Sequence, residues 1–215
     1  MFTTDIGVDL GTANVLVYLK GKGVVLQEPS VVTINRDNGE IVAVGYEARK
    51  MLGRTPSNIE VIRPLQEGVI ADYNMTEKML RFFLHKVGIK KLVSRPRIMI
   101  CIPSEITGVE ERAVRQAAIQ AGAKAAYVVE EPLAAALGAG LDISEPSGNM
   151  VVDIGGGTTD VAVLSLGGIV ANRSLRVGGD KFDDAIVRYV RREFNLAIGE
   201  SSAEAVSYTH LVGIS

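Results

Sequence analysis

One pattern occurs twice in this sequence and restricts the fold more than any other feature. Val8-Asp9-Leu10-Gly11, followed by Val15-Leu16-Val17, is echoed by Val152-Asp153-Ile154-Gly155, followed by Val161-Ala162-Val163. The two aspartates stand 144 residues apart, and the second turn is two residues longer. Each copy reads as strand, glycine-rich turn, strand, and each runs into a further strand after a Gly-Lys-Gly or Gly-Gly turn. Two copies at domain spacing predict a duplicated pair of α/β domains facing a cleft. The 215 residues, 47% of them hydrophobic, suffice for one large core or two modest ones.

Between the copies the chain alternates strands and helices. Strands are expected at Val24–Leu26, Ser30–Asn35 and Ile41–Val44, the last two joined through Asp37-Asn38-Gly39. A short helix is read over Tyr46–Leu52, and loops and short strands over 54–72. A helix capped by Asn74 or Thr76 carries Met75, Met79, Phe82, Phe83 and Val87. After a strand at Ile98–Ile102, Thr107 and Glu110 make a capping box for a helix through Ala121. Its Val109, Ala113, Val114, Ala117, Ala118 and Ala121 form one apolar stripe. Ala125–Val129 is a strand, and Pro132 starts the helix Leu133–Leu137. An amphipathic helix runs from about Asp180 to Phe194, and no period is evident beyond Ser207.

The repeated turns carry the chemistry. A Gly/Thr-rich turn aims several backbone N–H groups and hydroxyls at one point, which suits phosphate oxygens. Aspartate is a poor strand residue, costly to bury unpaired. It fits if it faces a magnesium ion through water, because Mg2+ retains several waters and takes few protein carboxylates. The turns Gly11–Asn14 and Gly155–Thr159 are therefore expected to hold a phosphate chain from opposite sides, with Asp9 and Asp153 near the metal. The alternative is a pair of ordinary glycine hairpins. Glu131, beside Pro132 at a helix start, suits the orientation of an attacking water, or equally the complementing of a helix dipole. Gly178-Gly179-Asp180, a glycine turn into a helix, suits either ribose and phosphate contacts or a simple N-cap.

Other functions are disfavoured. There is no G-x-x-x-x-G-K-[ST] loop, and the glycine turn at 155–159 leads into a strand, unlike a Rossmann fingerprint. A formal charge of −2 argues against a general nucleic-acid binder. The single cysteine, Cys101, is read as a buried strand thiol. His85 and His210 carry no ligand pattern. No leader segment or apolar run of about 20 residues is visible, so a cytoplasmic location is expected.

Asp9-Leu-Gly-Thr-Ala-Asn14, Glu130-Glu-Pro-Leu-Ala-Ala-Ala136, Asp153-Ile-Gly-Gly-Gly-Thr-Thr-Asp160 and Gly178-Gly-Asp-Lys-Phe-Asp183 stand in the order and spacing of four landmark segments. These are the phosphate-1, connecting, phosphate-2 and following segments of the actin, sugar kinase and heat-shock chaperone superfamily. From Asp5 to about Glu204 the chain resembles the MreB/Mbl bacterial actins, with the supporting stretches Gly21–Ser30, Val44–Arg49 and Arg63–Asp72.

The resemblance implies an α/β, actin-like ATPase fold of duplicated ribonuclease-H-like domains with an incomplete second lobe. It divides the chain into a first-lobe core (1–32 and 72–143), a small insertion (33–71), the start of the second-lobe core (144–179), a truncated small subdomain (180–206) and a non-native tail (207–215). It implies ATP and Mg2+ as cofactors. Gly11, Thr12, Ala13, Asn14, Gly155, Gly156, Gly157, Thr158 and Thr159 would serve the phosphates, with Asp9 and Asp153 at the metal. Glu131 and Thr158 would position the attacking water, and Gly178, Gly179, Asp180 and Glu204 would meet the rest of the nucleotide.

The function implied is an ATPase that polymerises into filaments on the inner membrane surface and organises cell-wall synthesis and rod shape. Its partners would be itself, the membrane and shape-determining membrane proteins, with no nucleic acid. Leu92 and Val93, among Lys90, Lys91, Arg95 and Arg97, are the membrane candidates, an ordinary solvated loop being the alternative. Where the family continues Gly-Glu-Arg-Thr-Ala-Glu-Glu-Ile-Lys, this chain reads Gly199–Ser207 with Ser207 in place of the lysine. A small-molecule kinase or a chaperone ATPase of the same superfamily is the rival reading.

Overall fold

The computed structural model describes residues 4–89 and 95–210. From the N-terminus the elements are β1 (Asp5–Leu10), β2 (Asn14–Leu19), β3 (Gly23–Pro29), β4 (Val32–Asn35), β5 (Ile41–Val44), α1 (Tyr46–Arg49), β6 (Ile59–Ile62), β7 (Leu65–Gln66), β8 (Val69–Ile70) and α2 (Tyr73–Lys86). There follow β9 (Arg97–Ile102), α3 (Gly108–Ala121), β10 (Ala125–Glu130), α4 (Glu131–Gly138), β11 (Asn149–Ile154), β12 (Thr159–Ser165), β13 (Gly168–Leu175), α5 (Gly179–Phe194) and α6 (Glu200–His210).

The first sheet has the order β10-β9-β1-β2-β3. Its antiparallel meander β1–β2–β3 is extended by β9 and β10, both parallel to β1. Alternation along β1 buries Ile6, Val8 and Leu10 on one face, against Ile98 and Ile100 of β9 and Met79, Leu80 and Phe83 of α2. The same period of two turns Asp9 to the opposite face. The second copy repeats the meander as β11–β12–β13, whose Ala162 and Leu164 bury against Ala136 and Ile143. Thus α4, which leaves the first sheet at Glu130, packs on the second. This wedge joins the two sheets and places the end of β10 beside both repeated turns.

Several local expectations are corrected. Helix α2 is capped by Asp72, whose carboxylate accepts from Met75 N–H at 3.0 Å, because Asp72 is the last extended residue before the turn begins. Thr76 instead bonds back to the Asp72 and Pro64 carbonyls. The helix at Tyr46 stops at Arg49, short of the expected Leu52. Val109 is 72% exposed, because it lies in the first turn of α3, before the helix reaches the sheet. The chain beyond Ser207 is helical through His210, and Ser207 donates a buried hydrogen bond to Asp183 of α5. The Thr107–Glu110 capping box forms as expected. Among the described residues, no helix is long and apolar enough to cross a membrane.

Candidate active site

The two repeated turns meet edge to edge. A Cβ built on Gly156 would fall 2.6 Å from Ala13 Cβ, and one on Gly157 would fall 2.5 Å from Thr12 Oγ1 and 2.9 Å from the Glu67 backbone. Only glycine permits so close an approach. Thr12 is buried and accepts from Gly68 N–H at 3.0 Å, so the first turn is also tied to the β7–β8 hairpin.

Beside this junction lies a cavity of about 390 Å³. Its wall includes Asp9, Gly11–Asn14, Glu131, Asp153 and Gly155–Thr158, drawn from β1, both turns, α4 and β11. Residues scattered across the sequence are gathered because the two meanders place their first turns at the same edge and α4 starts there.

The electrostatics are those of a site short of positive charge. Burial, followed by the charges of Asp9, Asp160 and Asp153, pushes the Glu131 carboxyl up to about 8. Burial and Asp153 raise Asp9 to about 6. Asp153 is raised by burial and by Asp160. These carboxylates repel one another in a low-dielectric pocket, and a bound cation would relieve that repulsion. Among the described residues no three His, Cys, Asp or Glu groups are close enough to enclose a metal by themselves. The donor set therefore fits an ion that retains water and shares phosphate oxygens, as Mg2+ does.

Not every expected residue reaches this cavity. Thr159 turns away and donates to the Val177 carbonyl at 2.8 Å. Gly178 packs on the carbonyls of the second turn, while the N–H groups of Gly179 and Asp180 donate to Gly155 O and Gly156 O at 3.0 and 2.9 Å. This glycine segment thus buttresses the turn from behind. Glu204 pairs with Arg49 in a small adjoining cleft that also holds Thr12, Ala13 and Asp180. Leu92 and Val93 lie outside the described residues.

The family profile described as MreB/Mbl protein matches residues 3–212. The chain belongs to the MreB/Mbl family. It is 57% identical over 206 residues to the cell shape-determining protein Mbl of Bacillus cereus, covering 96% of this chain and 62% of that one. It is 53% identical over 213 residues to the cell shape-determining protein MreB of Escherichia coli K12, covering 97% and 61%. Among solved structures, MreB 5 of Spiroplasma citri bound to AMPPNP superposes with a TM-score of 0.91 at 40% identity, over 97% of this chain and 63% of that one. A MamK double helical filament superposes with a TM-score of 0.78 at 25% identity, over 96% and 64%. The expected actin-like α/β fold is therefore present, and the chain spans about three fifths of the length of the relatives it matches.

Within this MreB/Mbl chain, two site features escaped the sequence. Cys101, read as a core thiol, lines the cavity. The buried residues of β9 are Ile98, Ile100 and Ile102, so the alternation sends Cys101 to the face of Asp9, a parity visible in the sequence. Burial, then Asp9, Glu131 and Asp153, pushes its thiol up to about 12, which favours the protonated form. Asp160 is 1% exposed and accepts from Ser104 N–H at 3.0 Å, linking the second meander to the loop after β9. Its signal was a carboxylate standing directly before the apolar run Val161–Leu164, inside the strand that the run predicts.

Proposed function

We propose that this MreB/Mbl chain is the nucleotide-binding part of an ATPase that polymerises into membrane-associated filaments governing cell-wall synthesis and rod shape. The observation that carries the reading is the convergence of two glycine turns and three half-buried carboxylates on one cavity. Backbone N–H groups of the turns suit the phosphates, and Asp9 and Asp153 suit a hydrated Mg2+. Such an ion would neutralise charge on the phosphate oxygens. Glu131 and Thr158 line the same wall, as residues orienting a water must. Asp180 and Glu204, which line the adjoining cleft, are assigned to the ribose and adenine side, with Gly178 and Gly179 backing the second turn. Support for ATP comes from the AMPPNP-bound and ADP-bound Spiroplasma relatives. Support for self-assembly comes from the MamK filament, and support for the shape role from the names of the Bacillus and Escherichia relatives.

The deciding experiment is titration of Mg-ATP into a version extended to the relatives' length, with and without Asp153→Ala. The substitution is expected to abolish magnesium-dependent affinity while leaving metal-free binding little changed. Equal Mg-ATP affinity in both proteins would overturn the two-turn site.

The subunit is assigned to the cytoplasmic face of the membrane, held there peripherally through Leu92 and Val93. Two such side chains contribute roughly 1.5–3 kcal/mol each when fully buried, and nearby Lys and Arg add about 1 kcal/mol each at an anionic surface. One subunit therefore anchors weakly, and a filament strongly through avidity. In liposome co-sedimentation of the extended protein, Leu92→Ser with Val93→Ser is expected to remove most of the bound fraction. Unchanged co-sedimentation would place the membrane contact elsewhere.

A further inference from the structure

A second, larger groove lies between α2 and the small β5-β4-β6 sheet. It encloses about 860 Å³. One wall is β5, which among the described residues is an edge strand paired with β4 alone. All four of its residues, Ile41 to Val44, line the groove. Alternate residues of a strand point to opposite faces, so this continuous lining means that the groove meets the open edge of β5. The edge carries a bulge at Val42, which has no partner on β4 and is 48% exposed.

The facing wall is one stripe of α2. Lys78, Arg81, Phe82 and His85 recur at helical spacing and all line the groove. Phe82, 44% exposed, extends the apolar floor. The two carboxylates in the lining are already engaged. Glu28 accepts from Tyr46 N–H at 2.8 Å and pairs with Lys86, and Glu47 pairs with Lys50 at 2.7 Å. Arg81 pairs with Glu77. Among the described residues, Lys78 forms no ion pair and His85 donates to no carboxylate. The groove is therefore apolar along its floor, and among the described residues one rim carries the unpaired Lys78 ammonium, with the His85 imidazole two turns further along α2.

We propose that this groove docks a short, extended, acidic segment of a partner protein, which adds to the edge of β5 and presents carboxylates to Lys78 and His85. Strand addition supplies main-chain hydrogen bonds, and alternating side chains supply specificity. The bulge at Val42 confines the ladder to a few residues, so the apolar floor and the cationic rim carry the rest of the recognition. A second copy of this chain is a poor occupant through the same edge, because a two-fold contact would set the α2 cations of one copy against those of the other.

The test is fluorescence anisotropy on the 215-residue chain. The probe is a labelled heptapeptide alternating glutamate with valine, and the control replaces each glutamate with lysine. The acidic peptide is expected to bind and to weaken as salt is raised, and the basic peptide is expected to bind at least about tenfold more weakly. The double variant Lys78→Glu with His85→Glu changes only exposed side chains and is expected to cost about tenfold or more in affinity, with an unchanged melting temperature. Absence of acidic-peptide binding below about 1 mM, equal binding of the two peptides, or full binding by the folded double variant would overturn the proposal. So would concentration-dependent dimerisation abolished by that variant, which would make a second copy the occupant.

Discussion

Glu131→Ala, in a version extended to the relatives' length, is expected to leave ATP binding intact and to slow hydrolysis by roughly 10²–10⁴-fold, the usual worth of a positioned proton acceptor. The carboxyl sits at the first position of α4, against the cavity that Asp9, Asp153 and both turns enclose. Burial and the neighbouring carboxylates push its carboxyl up to about 8 in the open cavity, and a cation bound beside Asp9 and Asp153 would relieve that repulsion and favour the ionised form that accepts a proton. It adds little to ground-state affinity, because in the proposed site it faces the attacking water and not the phosphate oxygens. The loss should therefore appear in kcat with nucleotide affinity preserved. Single-turnover hydrolysis and nucleotide titration on the same preparations check both halves. An unaltered kcat would leave Glu131 with the dipole-complementing role that its place at a helix start also permits.

Gly157→Ala is expected to destabilise the chain by about 1–3 kcal/mol, the range for overpacking a closed contact, and to lower its Tm by roughly 3–10 °C. The added methyl would meet Thr12 Oγ1 at 2.5 Å and the Glu67 backbone at 2.9 Å. Thr12 is itself held by Gly68 N–H, and the Glu67 main chain has no rotamer to change. The second turn must therefore move off the first turn and off the β7–β8 hairpin. Gly108→Ala is the control: it lies in the first turn of α3 with open space around the added methyl, so it should be neutral or slightly stabilising. Melting curves of the three proteins decide the matter. A Gly157→Ala protein that melts with its parent would mean that the turns separate without loss, and that the closed junction contributes little.

The sequence by itself determined the local units and the repeat. Strand alternation around Asp9 and Asp153 was legible because a period of two is written in neighbouring residues, and the Thr107–Glu110 cap because its partners lie three apart. The same alternation fixed the parity of Cys101, although its significance depended on knowing which face of β9 the cavity occupies. The motifs also identified the family, since their order and spacing survive without any contact being known.

What only the tertiary structure decided is how those units meet. That α4 wedges against the second meander and so delivers Glu131 to both aspartates is a matter of packing between residues more than a dozen positions apart. The backing of the second turn by Gly178–Asp180, the burial of Asp160 against Ser104 and the pairing of Arg49 with Glu204 are likewise long-range contacts. The carboxylate shifts belong to the same class, because a side chain's titration depends on the water and charge around it, and these are set only when distant segments close over the cavity.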